Sequence, residues 1–357
     1  MMFWNINVKK NLNNFLFLID FKQAFDKINS EYICQVFSRF GFGDNFINWI
    51  KTLLANRVSC VKNGGHISDF FHVSSGVKQG CSLAPLLFIL GAEILAQNII
   101  QDRIIQGVKY PDGRENLKIF QFADDTSFLC KNAVDIREIL SGLKIFNLIS
   151  GLTININKCV IIPMGNNLAN QYENIENIRM ENQAKIVGIV FRNDRSASEI
   201  SVNWEGRIKK IKQIVKNWMK RKLTLIGKIQ VIKTFLISQF VFLLQSITLP
   251  SETIDEINTI FYRFLWRKDH IEKKGWERIG RKVLSNNKQK GGLDMINMID
   301  FQNSFLLKWG CDLNNGKDEV WKSFPTHLFR KVGGLSIFNS KIEYKNLKGI
   351  EEVKSPF

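Results

Sequence analysis

The sequence predicts an α+β fold, an antiparallel sheet packed on helices and followed by a helical region. Three observations carry this. Up to about residue 195, short apolar runs of strand length are interleaved with segments of helical spacing. The connections between those runs are long, in the order βααββαββαββ, which suits an antiparallel sheet with helices segregated around it. From Ser201 onward the strand-like runs stop and apolar residues recur at helical spacing. The 357 residues allow two or three domains, and 45% hydrophobic residues with 28 Phe provide a core and argue against a disordered chain.

Taken in order, "NNFLFLID" (13–20) is an apolar run short enough for a buried strand, closed by Asp20. Ser30 is the expected cap of a helix that stops at Gly41–Gly43, and Asp44 the cap of a second over 44–57. Residues 57–73 read as a hairpin turning at Asn63-Gly64-Gly65. A Gly-rich loop then enters a long apolar helix within 74–100, and a turn is expected at Pro111-Asp112-Gly113 between strands. An amphipathic helix over 133–150 ends at Gly151, followed by strands at 152–162 and 185–191.

Beyond Gly206 the charge pattern changes. No Asp or Glu occurs from Gly206 to Ser251, while residues 207–233 hold ten Lys or Arg. Ile208, Ile211, Val215 and Trp218 recur at helical spacing on the opposite side, so a helix with one strongly basic face is expected. Mixed signs would serve solubility better. The net charge of +17 points to a polyanionic partner. Residues 252–330 read as mostly helical and rich in Trp.

Several classes are disfavoured. The six Cys are scattered without a C-x-x-C pair and only four His are available, so neither a zinc site nor a disulfide framework is expected. Reduced thiols and the lack of a leader at "MMFWNINVKK" predict an intracellular protein, nucleus or cytoplasm unresolved. The apolar run 235–249 is broken by Ser and Gln and reads as a buried helix, so no membrane partner is expected.

The chemistry is expected at "FQFADDTSFLC" (120–130), where Asp124 and Asp125 adjoin between two apolar strips. A turn between strands exposes both carboxylates, and a hard cation such as Mg²⁺ cancels their repulsion. Asp20, closing another apolar strand, is the candidate third ligand if both strands share a sheet. Three carboxylates at one edge suit two-metal phosphoryl transfer. Asp26, six residues after Asp20, reads as structural, a turn or helix cap.

"LIDFKQAFDKIN" (18–29), "SGVKQGCSLAPLLFIL" (75–90) and "FADD" (122–125) resemble three successive palm motifs of reverse transcriptases, in the form found in non-LTR (LINE-type) retrotransposons. "SGLTININKCVII" (150–162), "KIVGIVF" (185–191) and "KGGLDMINMIDFQNSFLLKW" (290–309) resemble the segments that follow, so the likeness covers roughly residues 13–312. The resemblance implies a palm over 1–195, a basic helical thumb over 196–250 and a helical region beyond it over 251–357.

It also implies roles. Asp20, Asp124 and Asp125 hold two Mg²⁺ ions, with Lys158 near the leaving pyrophosphate. Phe21, Phe25, Gly76, Gln79 and Gly80 contact the nucleotide, with the Phe25 ring excluding a 2′-OH. Arg207, Lys209, Lys210, Lys212 and Lys216 on the thumb grip phosphates of an RNA template and DNA primer, continued by Lys220, Arg221, Lys222 and Lys228. The implied activity is RNA-directed DNA synthesis from dNTPs. Only about a dozen residues precede the first palm strand, so the chain is expected to be a fragment lacking most of the fingers. A non-catalytic nucleic-acid-binding remnant of such an element is the alternative. An RNA-synthesising or maturase relative is disfavoured by Phe25 and the Gln-Gly-Cys triplet. The oligomeric state is left open.

Overall fold

The computed structural model describes residues 14–110, 113, 116–164, 174–193, 198–266, 277–317 and 319–336. The chain forms two compact units that divide after Gly188. The turn expected at Pro111–Gly113 lies mostly outside the described residues.

The first unit opens with β1 (Asn14–Ile19), then α1 (Ala24–Lys27), α2 (Ser30–Arg39) and α3 (Asp44–Leu54). Two nested two-residue ladders follow: β2 (Val58–Ser59), β3 (Lys62–Asn63), β4 (His66–Ile67) and β5 (Phe71–His72). Asn63 pairs with His66, so Gly64 and Gly65 form the loop, with φ of +55° and +89°. Two consecutive left-handed residues give the primed turn that fits a hairpin's twist, and glycine adopts it without steric cost. The long helix is α4 (Ala84–Gln101). Then come β6 (Ile119–Phe122), β7 (Asp125–Cys130), α5 (Ala133–Ser150), β8 (Val160–Met164), β9 (Asn174–Ile175), β10 (Ile178–Met180) and β11 (Gln183–Ile186), with β12 (Ile189–Arg192) beyond the division.

The six-stranded sheet has the order β6-β7-β1-β8-β10-β9. It is antiparallel throughout except where β10 runs parallel to β8. β1 sits centrally between β7 and β8, which is why its run is continuously apolar. Phe17 lies opposite Phe128 and Ile161, with the two rings 5.7 Å apart. Phe15, Phe17, Ile19, Phe128 and Ile161 join α2, α4 and α5 in one core around Ile33, Phe88 and Phe146.

Two helix starts shift by one residue from the sequence reading. Asn29, not Ser30, caps α2, its side chain accepting from the Glu31 and Tyr32 amides. Gly43 precedes α3, and Asp44 supplies negative charge to its first turn. α5 runs over the expected residues, capped by Asn132 and ended by Gly151. The fully buried Asp135 at its start accepts from the Gln106, Gly107 and Lys131 amides, tying the segment before β6 to the helix.

The second unit is helical: α6 (Ser198–Met219), α7 (Leu225–Val231), a π turn (Ile232–Leu236), α8 (Ser238–Leu244) and α9 (Ser251–Trp266), then α10 (Arg281–Ser285), α11 (Met298–Leu313) and α12 (Ser323–Phe329). Trp204, Ile208, Ile211 and Val215 form the buried stripe of α6 and share one core with Phe240, Phe261, Phe264, Leu284 and Met298. Ala84–Gln101 and Leu225–Leu244 have the length and hydropathy to cross a membrane, and each buries apolar residues in its own unit's core.

Candidate active site

β1 and β7 pair with Ile19 opposite Thr126. One step further along the same register Asp20, just past the end of β1, falls opposite Asp125, the first residue of β7. Phe122 pairs with Asp125, so Ala123 and Asp124 form the two-residue turn between β6 and β7. Ala123 has φ +53°, a left-handed conformation that costs a residue with a Cβ about 1–3 kcal/mol. The strain presents Asp124 at the tip. Asp124 and Asp125 are exposed and Asp20 is half-buried. Partial burial, then the charges of Asp124 and Asp20, hold the Asp125 carboxyl above the usual carboxylate range.

Of the two apolar strips beside the pair, one is exposed. β6 is an edge strand, and Phe120 and Phe122 are exposed, Phe122 by 67%. On the inner side β7 is buried from Thr126 to Cys130.

Lys158 lies in a 3₁₀ turn (Ile156–Lys158) before β8, rather than within a strand. The approach to that turn is stitched to the chain after β1. The Lys22 amide donates to Thr153 O at 2.8 Å, and the Asn155 amide to Asp20 O at 2.7 Å. These ties bring Lys158 Nζ to 3.3 Å from Asp20 Oδ2, with both side chains substantially exposed.

Among the described residues, no three Asp, Glu, His or Cys side chains form a ready metal cluster. The three carboxylates share one sheet edge, but Asp20 leans on Lys158. Their chemistry fits a hard divalent cation: all donors are carboxylate oxygens, and their mutual repulsion is the energy such an ion relieves.

The expected nucleotide contacts divide. Phe25 is half-buried, its ring stacked on Phe88 at 4.6 Å. Phe21 is a core residue, 6% exposed and bridged to Ile154, so its ring is withdrawn from any ligand. Gly76 is buried, with φ +78°, and a Cβ there would lie 2.5 Å from the Asp26 backbone. The close approach expected of this glycine is therefore to the protein's own chain. Gln79 and Gly80 are exposed on the same loop.

Two residues organise this loop: Asp26, read from the sequence as structural, and Arg57, which the sequence does not flag. Asp26 is not a helix cap. Its carboxylate oxygens each accept from Gln79 Nε2 at 3.2 Å, and its carbonyl accepts from Ser75 Oγ at 2.9 Å. Arg57 donates to Leu54 O, Gly76 O and Ser30 Oγ, joining the end of α3, the loop and the start of α2. Asp26 and Arg57 border a cleft of about 870 Å³ that the loop also lines. A lone Arg has no local pattern that would flag this role, and the structural reading of Asp26 lacks only its partners.

In the second unit, Lys209 and Lys216 are seven residues apart on the exposed side of α6, away from its buried face, and the exposed Lys220 follows directly after the helix. Lys210, Arg221 and Lys222 are also exposed, and Arg207 is half-buried. Two expected phosphate contacts are engaged internally. Lys212 Nζ is 2.7 Å from Glu256 of α9. Lys228 Nζ donates to Leu265 O near the end of α9 and lies over the Phe264 ring. Helix C-termini favour such cations.

An α+β unit with three carboxylates at one end of its sheet is the layout expected of a polymerase palm. Residues 4–191 match the family model described as Reverse transcriptase (RNA-dependent DNA polymerase), and the chain belongs to that family. Its relatives specify the branch, a non-LTR reverse transcriptase. It is 22% identical over 351 residues to the Pol polyprotein of the type-1 retrotransposable element R2 of Popillia japonica, 93% of this chain and 54% of that one. It is 27% identical over 141 residues to the Transposon TX1 uncharacterized 149 kDa protein of Xenopus laevis, 39% of this chain and 11% of that one. The chain thus spans about half the length of the first relative and a small part of the second. Apo telomerase of Candida tropicalis superposes with a TM-score of 0.44 at 15% identity, covering 74% of this chain and 44% of that one, a likeness too loose to build on.

Proposed function

We propose that this chain catalyses RNA-directed DNA synthesis, joining a dNTP to a primer 3′-OH with release of pyrophosphate. The carrying observation is the β1–β7 register, which sets Asp20 beside Asp125 next to the turn holding Asp124. Asp20, Asp124 and Asp125 would hold two Mg²⁺ ions, which activate the attacking hydroxyl and steady the leaving oxygen when bound. Lys158 is placed to exchange its Asp20 contact for the charge developing on the leaving phosphate. Phe25, braced by Phe88, supplies bulk against a 2′-OH. Asp26 and Arg57 hold the Ser75–Gly80 loop in place, and its exposed Gln79 and Gly80 would meet the nucleotide. The exposed lysines of α6 bind phosphates of the template–primer duplex.

The ion pair between Asp20 and Lys158 favours a second reading, a nucleic-acid-binding remnant without synthesis, because it occupies a carboxylate that the first reading needs for metal. Primer extension on an RNA template with Mg²⁺ separates them. Polymerase function predicts extension by the wild type and a loss of about 100-fold or more in Asp124→Asn. Salt-sensitive binding with no extension by the wild type leaves only the remnant.

A further inference from the structure

We infer that Phe235, Trp218 and Arg221 form a stacking platform for an unpaired base of single-stranded nucleic acid. The inference rests on the reading of the second unit as nucleic-acid-binding, and adds to it a site for bases rather than phosphates.

The helix between α7 and α8 is interrupted by the five-residue π turn Ile232–Leu236. Such turns insert an extra residue and recur at functional sites. Ile232 and Leu236 are fully buried, whereas Phe235 between them is 47% exposed. Its ring centroid lies 5.3 Å from that of Trp218, tilted by 42°. Trp218 closes the apolar stripe of α6 and is half-buried against the core. Arg221 sits with its guanidinium carbon 4.6 Å from the centre of the Trp218 ring. Gln239 Nε2 donates to Phe235 O at 3.2 Å, bracing the turn from the next helix. The exposed ring is therefore rigidly mounted, and a preformed surface loses little entropy on binding.

The surroundings identify the occupant. Lys216, Lys220 and Lys222 are exposed, and no acidic residue occurs from Gly206 to Ser251. A partner matching both the aromatic ring and this charge carries negative groups along a chain of flat rings. Nucleic acid has that combination; an acidic peptide or an anionic membrane offers the charge without the rings. Inside a duplex both faces of each base are already covered and only the two end pairs leave a face open, so a ring that stacks favours unpaired strand.

The test compares binding of the full chain to a labelled single strand, to the same strand made of abasic nucleotides, and to a blunt RNA–DNA duplex. We expect the wild type to prefer the base-bearing strand to the abasic one by about 10-fold. Phe235→Ala and Phe235→Leu should lose that preference, Phe235→Tyr should keep it, and duplex binding should change by less than about twofold. The Leu variant retains apolar bulk should Ala unfold the turn, and thermal melts verify folding. Equal loss on strand and duplex, or an unchanged preference in the Leu variant, overturns the platform alone. A wild type that binds neither overturns it together with the nucleic-acid reading of the unit.

Discussion

Asp125 bears two costs at once, partial burial and the nearness of Asp124 and Asp20. Its folded pKa lies above its unfolded one, so its contribution is fully present below the unfolded pKa and is lost as pH rises through the folded pKa. Asp125→Asn removes that loss. Its melting temperature relative to wild type should rise as pH is taken from the acid side to neutrality, while DNA synthesis falls about 100-fold or more. A constant difference in melting temperature would show that Asp125 is not repelled as described. Phe25 offers a second test. With its ring replaced in Phe25→Ala, incorporation of rNTP relative to dNTP should rise about 10-fold or more, read by single-nucleotide incorporation. No change would return Phe25 to a packing role against Phe88.

At the scale of elements, the Ser75–Gly80 loop is set by its fit to Asp26. Gly76→Ala places a Cβ 2.5 Å from backbone and keeps a left-handed φ, so chemical denaturation should show a loss of about 3 kcal/mol or more. At Gly80 φ is +81° but nothing lies within 4 Å, so Gly80→Ala should cost only about 1–2 kcal/mol. Equal costs would mean that the contact with Asp26 does not define the loop. The same scale shows what the sequence made legible. Helix α5 was readable because its apolar period ends at Gly151, and the hairpin because Gly64-Gly65 suits one turn type. β9 and β10 were not, since strands of two or three residues have no period; β10 exists by pairing with β8, and β9 by pairing with β10. β8 begins later than expected because residues 156–158 form a 3₁₀ turn. Asp20, Asp124 and Asp125 were legible as candidates from their places at strand ends. Their convergence follows from the motif resemblance, whereas the β1–β7 register that produces it is not legible, because it is a pairing between distant strands. Asp26 reads from the sequence only as structural, and Arg57, which acts through the folded loop, leaves no sequence trace.

For the whole molecule, the separation of charge matters more than its total. Lys209, Lys216 and Lys220 face solvent, whereas Lys228 closes the end of α9. Replacing the first three by Gln should lower the salt slope of duplex binding by about 2–3. Lys228→Gln should leave the slope unchanged and reduce stability, read from a thermal melt. Equal effects on the slope would mean that net charge alone drives binding. The central claim is that strand register makes one catalytic site of separated carboxylates. Groups that act as a unit are strongly non-additive. Single-nucleotide incorporation with Mg²⁺ by Asp20→Asn, Asp125→Asn and the double variant measures this directly. A single shared site gives wild-type incorporation, a large loss in each single variant, and little further loss in the double. Single losses that multiply in the double variant, or singles that match the wild type, would contradict it.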